Sequence, residues 1–240
     1  NLLSISNKNP FISDSLIQCN CNLRFVAFSR IKEDNMSLKI RYFGDPILRQ
    51  SGKKIEKFDD QLVQLSKEML EVMRASEGIG LAAQQVGLAD QFCVMDVPEH
   101  PDYPMRCILD GKALSPSLLM PMSLANPVVT PLPSDEFYYE EGCLSFPGIN
   151  ADVARPECIS VAYQDLDGVD HTLECDGLLA RCIQHEVDHL NGVLFIDRME
   201  KETYAEIRPF SFYPRWNATH FHQSSTFHIR TRRVLSIHQV

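Results

Sequence analysis

The sequence predicts an α+β fold in which short antiparallel strands pack around a central helix, and three observations carry that prediction. Two stretches have helical apolar spacing, and the segments between them are short and β-rich. Strands and helices do not alternate as a parallel sheet requires. With 240 residues, 44% of them hydrophobic and 23% charged, the chain can bury a core as one domain or two. No apolar run is long enough to span a membrane.

In chain order, residues 1–35 are rich in Asn and Ser and show no amphipathic period. They read as an N-terminal extension, disordered or not native, and their acids Asp14, Glu33 and Asp34 make a poor transit peptide. The catalytic domain is expected over 36–205. There Asp59 is placed to cap a helix through Arg74, with Leu62, Leu65, Met69 and Met73 on one face. Strands are expected at 91–97, 126–131, 158–164 and 171–175, the last two joined as a hairpin by the turn from Asp165 to Gly168. The connector between Pro98 and Ala125 reads as a surface insertion, with a rim beside a substrate groove as the alternative. A second helix runs from an Asp176 cap to a Gly192 stop, and 206–240 is expected to be a poorly ordered tail.

Charge is uneven. The net charge is -9, but 36–205 holds fourteen basic and twenty-eight acidic side chains, which argues against nonspecific nucleic-acid binding by that region. Most of the eight cysteines sit in apolar runs and read as buried reduced thiols, so a reducing, cytoplasmic setting is expected. An organellar stroma or matrix is the alternative if 1–35 is a transit peptide.

The second helix carries the chemistry. In His185-Glu186-Val187-Asp188-His189 the two histidines lie one turn apart on one face, where both imidazoles can grip one metal. Glu186 sits beside them, placed to take a proton from a water on that metal. At this composition the pattern H-E-x-x-H arises by chance about 0.02 times in such a chain. Leu178, Cys182, His185 and His189 share one stripe, and burying two imidazoles there without a partner would be unfavourable. This is the metal-binding helix of the predicted fold.

The third ligand decides the class. One group of metalloproteases extends the motif through a glycine to a third histidine; here Gly192 matches, but Phe195 stands where that histidine would be. Another group takes a Glu from a following helix, for which Glu200, Glu202 and Glu206 are the downstream glutamates. The better candidate is Cys143 in Glu141-Gly142-Cys143-Leu144-Ser145, which leaves a fourth position open for water. The run from Gly78 to Gln85 adds small residues that permit close backbone approach and glutamines that supply amide donors.

Together G-I-G-L-A-A-Q-Q, E-G-C-L-S and Q-H-E-V-D-H resemble the three signature motifs of the peptide deformylase family, in the family's order and with similar spacing. The likeness covers about 36–205. It implies that Cys143, His185 and His189 hold Fe²⁺, with Zn²⁺ or Ni²⁺ able to substitute, and that Glu186 activates the metal-bound water. It implies oxyanion donors in the Gln85 side chain and the Leu144 backbone N–H, and N-formylmethionyl nascent peptides as substrate. Ile79, Leu144, Cys182 and Ile183 would line a methionine pocket. Gly80, Glu141 and Gly142 would lie along the peptide. Where many relatives carry an arginine near the peptide path this chain has Asn150, with Arg155 further on. Arg230, Arg232 and Arg233 offer a transient ribosome contact, against which the segment's lack of helical period favours a solvated tail.

The competing readings are an H-E-x-x-H endopeptidase, disfavoured by Phe195, and a metal-stabilised binding module. The latter would have four protein ligands and no use for Glu186.

Overall fold

A computed structural model describes residues 38–99, 104–201 and 204. The expectations for the extension 1–35 and the tail 206–240, with Glu202, Glu206 and the three C-terminal arginines, lie outside the described residues. Helix α1 (Asp60–Ala75) begins as expected: the Asp59 carboxylate accepts from the N–H groups of Gln61 and Leu62 at 3.0 and 3.3 Å. Its buried face is Leu62, Ser66, Met69 and Met73. Helix α2 (Gly177–Leu190) also falls where expected, but its start differs in chemistry. Asp176 holds the cap position without a side-chain cap bond; its carboxylate accepts instead from the Arg106 N–H at 2.7 Å.

Nine strands accompany these helices among the described residues: β1 (Gly80–Ala82), β2 (Phe92–Met95), β3 (Cys107–Leu109), β4 (Lys112–Leu114), β5 (Met122–Pro131), β6 (Glu136–Gly142), β7 (Asn150–Pro156), β8 (Ile159–Gln164) and β9 (Asp170–Cys175). Seven form one antiparallel sheet in the order β1-β2-β5-β8-β9-β3-β4, while β6 and β7 pair separately. The four strands anticipated from sequence are β2, β5, β8 and β9. The connector between Pro98 and Ala125 is more structured than a surface insertion: it supplies β3 and β4, joined through Asp110 and Gly111, and the start of β5. Both turn residues have positive φ, 49° and 78°, the pairing that a tight two-residue hairpin requires.

The core explains why α2 can be central. Along β2, Phe92 and Val94 join the cluster against α1, whereas Cys93 and Met95 join the cluster against α2. Strand alternation therefore serves two helices at once, and all four residues are buried. In β1, Leu81 and Ala82 divide between the same clusters. A third cluster, built on Leu48, Phe146, Val153 and Phe195, supports the loop after β6.

Candidate metal centre

The apolar stripe of α2 turns the histidines inward. Leu178, Leu179, Cys182, Ile183, His185, Glu186 and His189 are all buried, and the two imidazole rings lie 5.0 Å apart. The 142–150 turn between β6 and β7 brings Cys143 to them, with its Sγ 3.3 Å from His189 Nε2. One ligand atom from each of Cys143, His185 and His189 lies within 4.8 Å of the others, and all three residues are buried. This is the three-residue set expected from sequence. Glu200 does not join it; its carboxylate accepts from the Tyr138 hydroxyl at 2.9 Å.

The surroundings suit a cation. Burial would push the Glu141 carboxyl up, but Arg155 and the His185 hydrogen bond outweigh burial and hold it well below the usual range. The ionised carboxylate accepts from His185 Nδ1 at 3.0 Å, which leaves Nε2 as the free donor atom of that ring. Burial would also lower His185, yet its hydrogen bonds to the Cys143 sulfur and to Glu141 lift it to about 10. His189 is pushed well below its ordinary value by burial and by His185, so it stays neutral with a lone pair to give. The donor set fits a metal with one soft thiolate and two imidazoles.

Glu186 is 1% exposed and burial pushes it up to about 7. Its Oε2 has no hydrogen-bond partner, a buried acceptor awaiting a donor. Gly80 makes room for it: a Cβ there would collide with Glu186 Oε1 and come within 2.8 Å of Cys182 Sγ. Gly78 likewise gives way to Leu144, whose Cδ1 would lie 2.7 Å from an added Cβ. The 3-10 turn Ala83–Val86 follows β1 and holds Gln85, whose Oε1 accepts from the Ala82 N–H at 2.8 Å. Its Nε2 is thereby turned toward Cys143 Sγ at 3.5 Å and Ser145 Oγ at 3.4 Å. The preceding segment pins both sides: Arg41 N–H donates to Gln85 O at 2.7 Å, and Phe43 N–H to Ser145 O at 2.9 Å.

Of the groups expected along the substrate, Ile79 packs at the edge of the α2 cluster, and its carbonyl accepts from Cys182 Sγ at 3.7 Å. Cys182 and Ile183 are fully buried in that cluster, and Gly142 ends β6. Glu141 differs from its expected place along the peptide. It is fully buried, with Oε1 accepting from Arg155 at 2.6 Å and Arg181 at 2.7 Å, and Oε2 from Arg155 at 2.9 Å as well as from His185. A carboxylate so committed has no lone pair to offer a substrate. Arg155, considered from sequence as a peptide anchor, is 3% exposed and also binds Asp188 at 2.8 Å.

Sequence reasoning missed this buried ion network. Arg181 donates to the carbonyls of Val153 at 2.9 Å and Phe137 at 2.6 Å, tying β6 and β7 to α2. Arg198 closes the network on Asp188 at 2.7 Å. One signal was visible: Arg181 interrupts an apolar run directly beside the buried stripe of α2.

Two histidines of an H-E-x-x-H helix and a cysteine from the turn after β6, with a buried glutamate and an amide donor turned into the same pocket, define a metal-dependent hydrolase. The polypeptide deformylase family profile matches residues 37–204. A peptide deformylase of Opitutus terrae is 57% identical over 173 residues, covering 72% of this chain and 90% of the relative. The solved peptide deformylase of Synechococcus elongatus, in complex with actinonin, superposes with a TM-score of 0.62 at 41% identity, covering 74% of this chain and 87% of that one. That of Thermotoga maritima gives 0.58 at 39% identity, covering 68% and 97%. The chain belongs to the peptide deformylase family, metal-dependent enzymes that hydrolyse the formyl group from N-formyl peptides. Among the described residues no helix is long and apolar enough to cross a membrane.

Proposed function

We propose that Cys143, His185 and His189 hold Fe²⁺ in the working protein, with Zn²⁺ or Ni²⁺ able to substitute, and that the substrate is the N-formylmethionyl end of nascent polypeptides. The observation that carries this reading is the convergence of three buried ligand atoms with the unpartnered Glu186 Oε2 and the Gln85 amide.

Bound there, a divalent ion supplies Lewis acidity, polarising the formyl oxygen and easing the loss of a proton from water. Glu186 accepts that proton at its free oxygen and delivers it to the departing amine, releasing formate and a free amino-terminal methionine. The Gln85 side-chain N–H and the Leu144 backbone N–H donate to the oxygen that gains charge at the formyl carbon. Ile79, Leu144, Cys182 and Ile183 form the apolar wall for the methionine side chain. Gly80 and Gly142 leave space for the peptide backbone to lie alongside as an added strand. Glu141 acts through His185 as a positioning residue. A cytoplasmic setting and a transient ribosome contact are consistent with nascent chains as substrate.

Formate release from a formyl-methionyl tripeptide by anaerobically purified, Fe²⁺-loaded protein tests this reading, with Glu186→Gln alongside. Metal content is expected to persist in the variant while kcat falls by about 10²–10⁴. No release from folded, metal-loaded wild type would overturn the substrate assignment.

A further inference from the structure

Strand β3 lays Cys107 directly opposite Cys175 of β9. The neighbouring ladder bonds fix which kind of pair this is. Asp110 N–H donates to Thr172 O at 2.9 Å, and Asp176 N–H donates to Arg106 O at 3.3 Å. In an antiparallel ladder these narrow pairs alternate with wide ones, so Cys107/Cys175 falls at a non-hydrogen-bonded position, like Leu109/Leu173. Residues facing each other there have Cα atoms about 4.5 Å apart, inside the range of about 4.4–6.8 Å that a disulfide spans. Both side chains point to one face of the sheet and lie in the same apolar cluster, 1% and 2% exposed.

We propose that Cys107 and Cys175 form an oxidative modification site: a cross-strand thiol pair that a low-molecular-weight disulfide converts to an intramolecular S–S bond. The Cys107 sulfur, its proton lost to water, attacks one sulfur of the reagent and expels one thiolate. The Cys175 sulfur then displaces the second. One S–S bond forms for the one broken, and the two cysteine protons end on the two thiols released. Burial raises both thiols, Cys107 to about 11, so the folded pair is slow to react and reaction proceeds when the edge hairpin β3–β4 opens.

The bond would fasten the 98–125 connector to the strand that runs into α2, since Cys175 adjoins the Asp176 cap. Cys158 is a built-in control. It precedes Ile159, the β8 residue that faces Cys175, and lies near enough to act electrostatically on Cys175, so it is the competing thiol that the map must exclude.

The full chain is incubated with oxidised glutathione, alkylated, and digested with trypsin and a glutamyl endopeptidase. The expected product is peptide 107–112 linked to peptide 175–181, formed equally in Cys158→Ser and lost in Cys107→Ser and Cys175→Ser. Cys107→Val and Cys175→Val serve if serine unfolds the sheet. Oxidised wild type should melt roughly 5–10 °C higher than the reduced form. Both thiols still free after oxidation in folded protein, or either one linked to a different cysteine, would overturn the assignment. Because the readout is a peptide map and a melting temperature, its failure is independent of any failure of the deformylase reading.

Discussion

Glu141 and His185 meet at 3.0 Å across the gap between β6 and α2, and the carboxylate that orients the imidazole lies two residues before Cys143. Strand β6 thus supplies the group that orients His185, and the turn directly after it brings Cys143 to the same pocket. Glu141→Gln keeps the shape and removes the charge, leaving Arg155 and Arg181 short of a counterion. Metal affinity is expected to fall about 10–100-fold. Competition with a chromophoric chelator measures it, and an unchanged affinity would deny Glu141 its positioning role.

Gly80→Ala tests the space beside Glu186. The new methyl group would meet Glu186 Oε1 and Cys182 Sγ, so these two side chains must shift to admit it. Loss of about 10² in kcat is expected with metal content unchanged, the effect of misplacing a reacting group by about an ångström. Steady-state formate release and metal analysis on the same preparation separate the two.

Gln85 has one oxygen engaged by Ala82 and its amide nitrogen turned into the pocket. Gln85→Leu should lower kcat by about 10²–10³ while leaving KM nearly unchanged, as expected for a donor used mainly in the transition state. A rise in KM at constant kcat would instead mark Gln85 as a substrate-binding group.

His171 bridges Asp110 at 2.8 Å and Asp165 at 3.2 Å, joining the β3–β4 turn to the β8–β9 turn. The Asp110 hydrogen bond, reinforced by Asp165, raises His171 above 6.5. Its contribution to stability is therefore complete below that value and is lost as pH rises through the elevated folded pKa. The backbone N–H of Thr172 and then His171 lower Asp110. For Asp165, burial pushes upward but the Val169 N–H and His171 prevail. Those carboxylates contribute above their ordinary value of 3.8 and lose the contribution as pH falls. The clamp should hold best between these limits. The melting-temperature gap between wild type and His171→Gln is expected to be wider near about pH 5.5 than near about pH 9.

Much of the fold and the pairing of His185 with His189 on one helix face could be read from the chain because they obey simple periods. The α1 and α2 stripes and the spacing of His185 and His189 follow helical geometry, and strands β2, β5, β8 and β9 are β-rich runs. The β6–β7 hairpin was hidden because its inward positions include Glu141 and Arg155, while Phe137 and Tyr138 face outward at 53% and 47% exposure. A polarity pattern cannot reveal a strand whose buried face is an ion network. The β3–β4 hairpin did carry a signal, Asp110-Gly111 between short apolar runs, masked by the prolines on either side. The role of Glu141 depended on which partners saturate its oxygens, which only the tertiary structure supplies.

The two-sided burial of β2 has a kinetic corollary. Exposing Cys93 or Val94 to water requires lifting one of the two helices off the sheet, so no small fluctuation opens this strand. The amides of β2 should exchange with deuterium only as the whole domain unfolds, whereas the edge strand β4, with Lys112 and Ala113 exposed, should exchange early. The helix bearing His185 and His189 is thus anchored to the slowest-opening part of the molecule, while the Cys143 loop belongs to the separate β6–β7 pair.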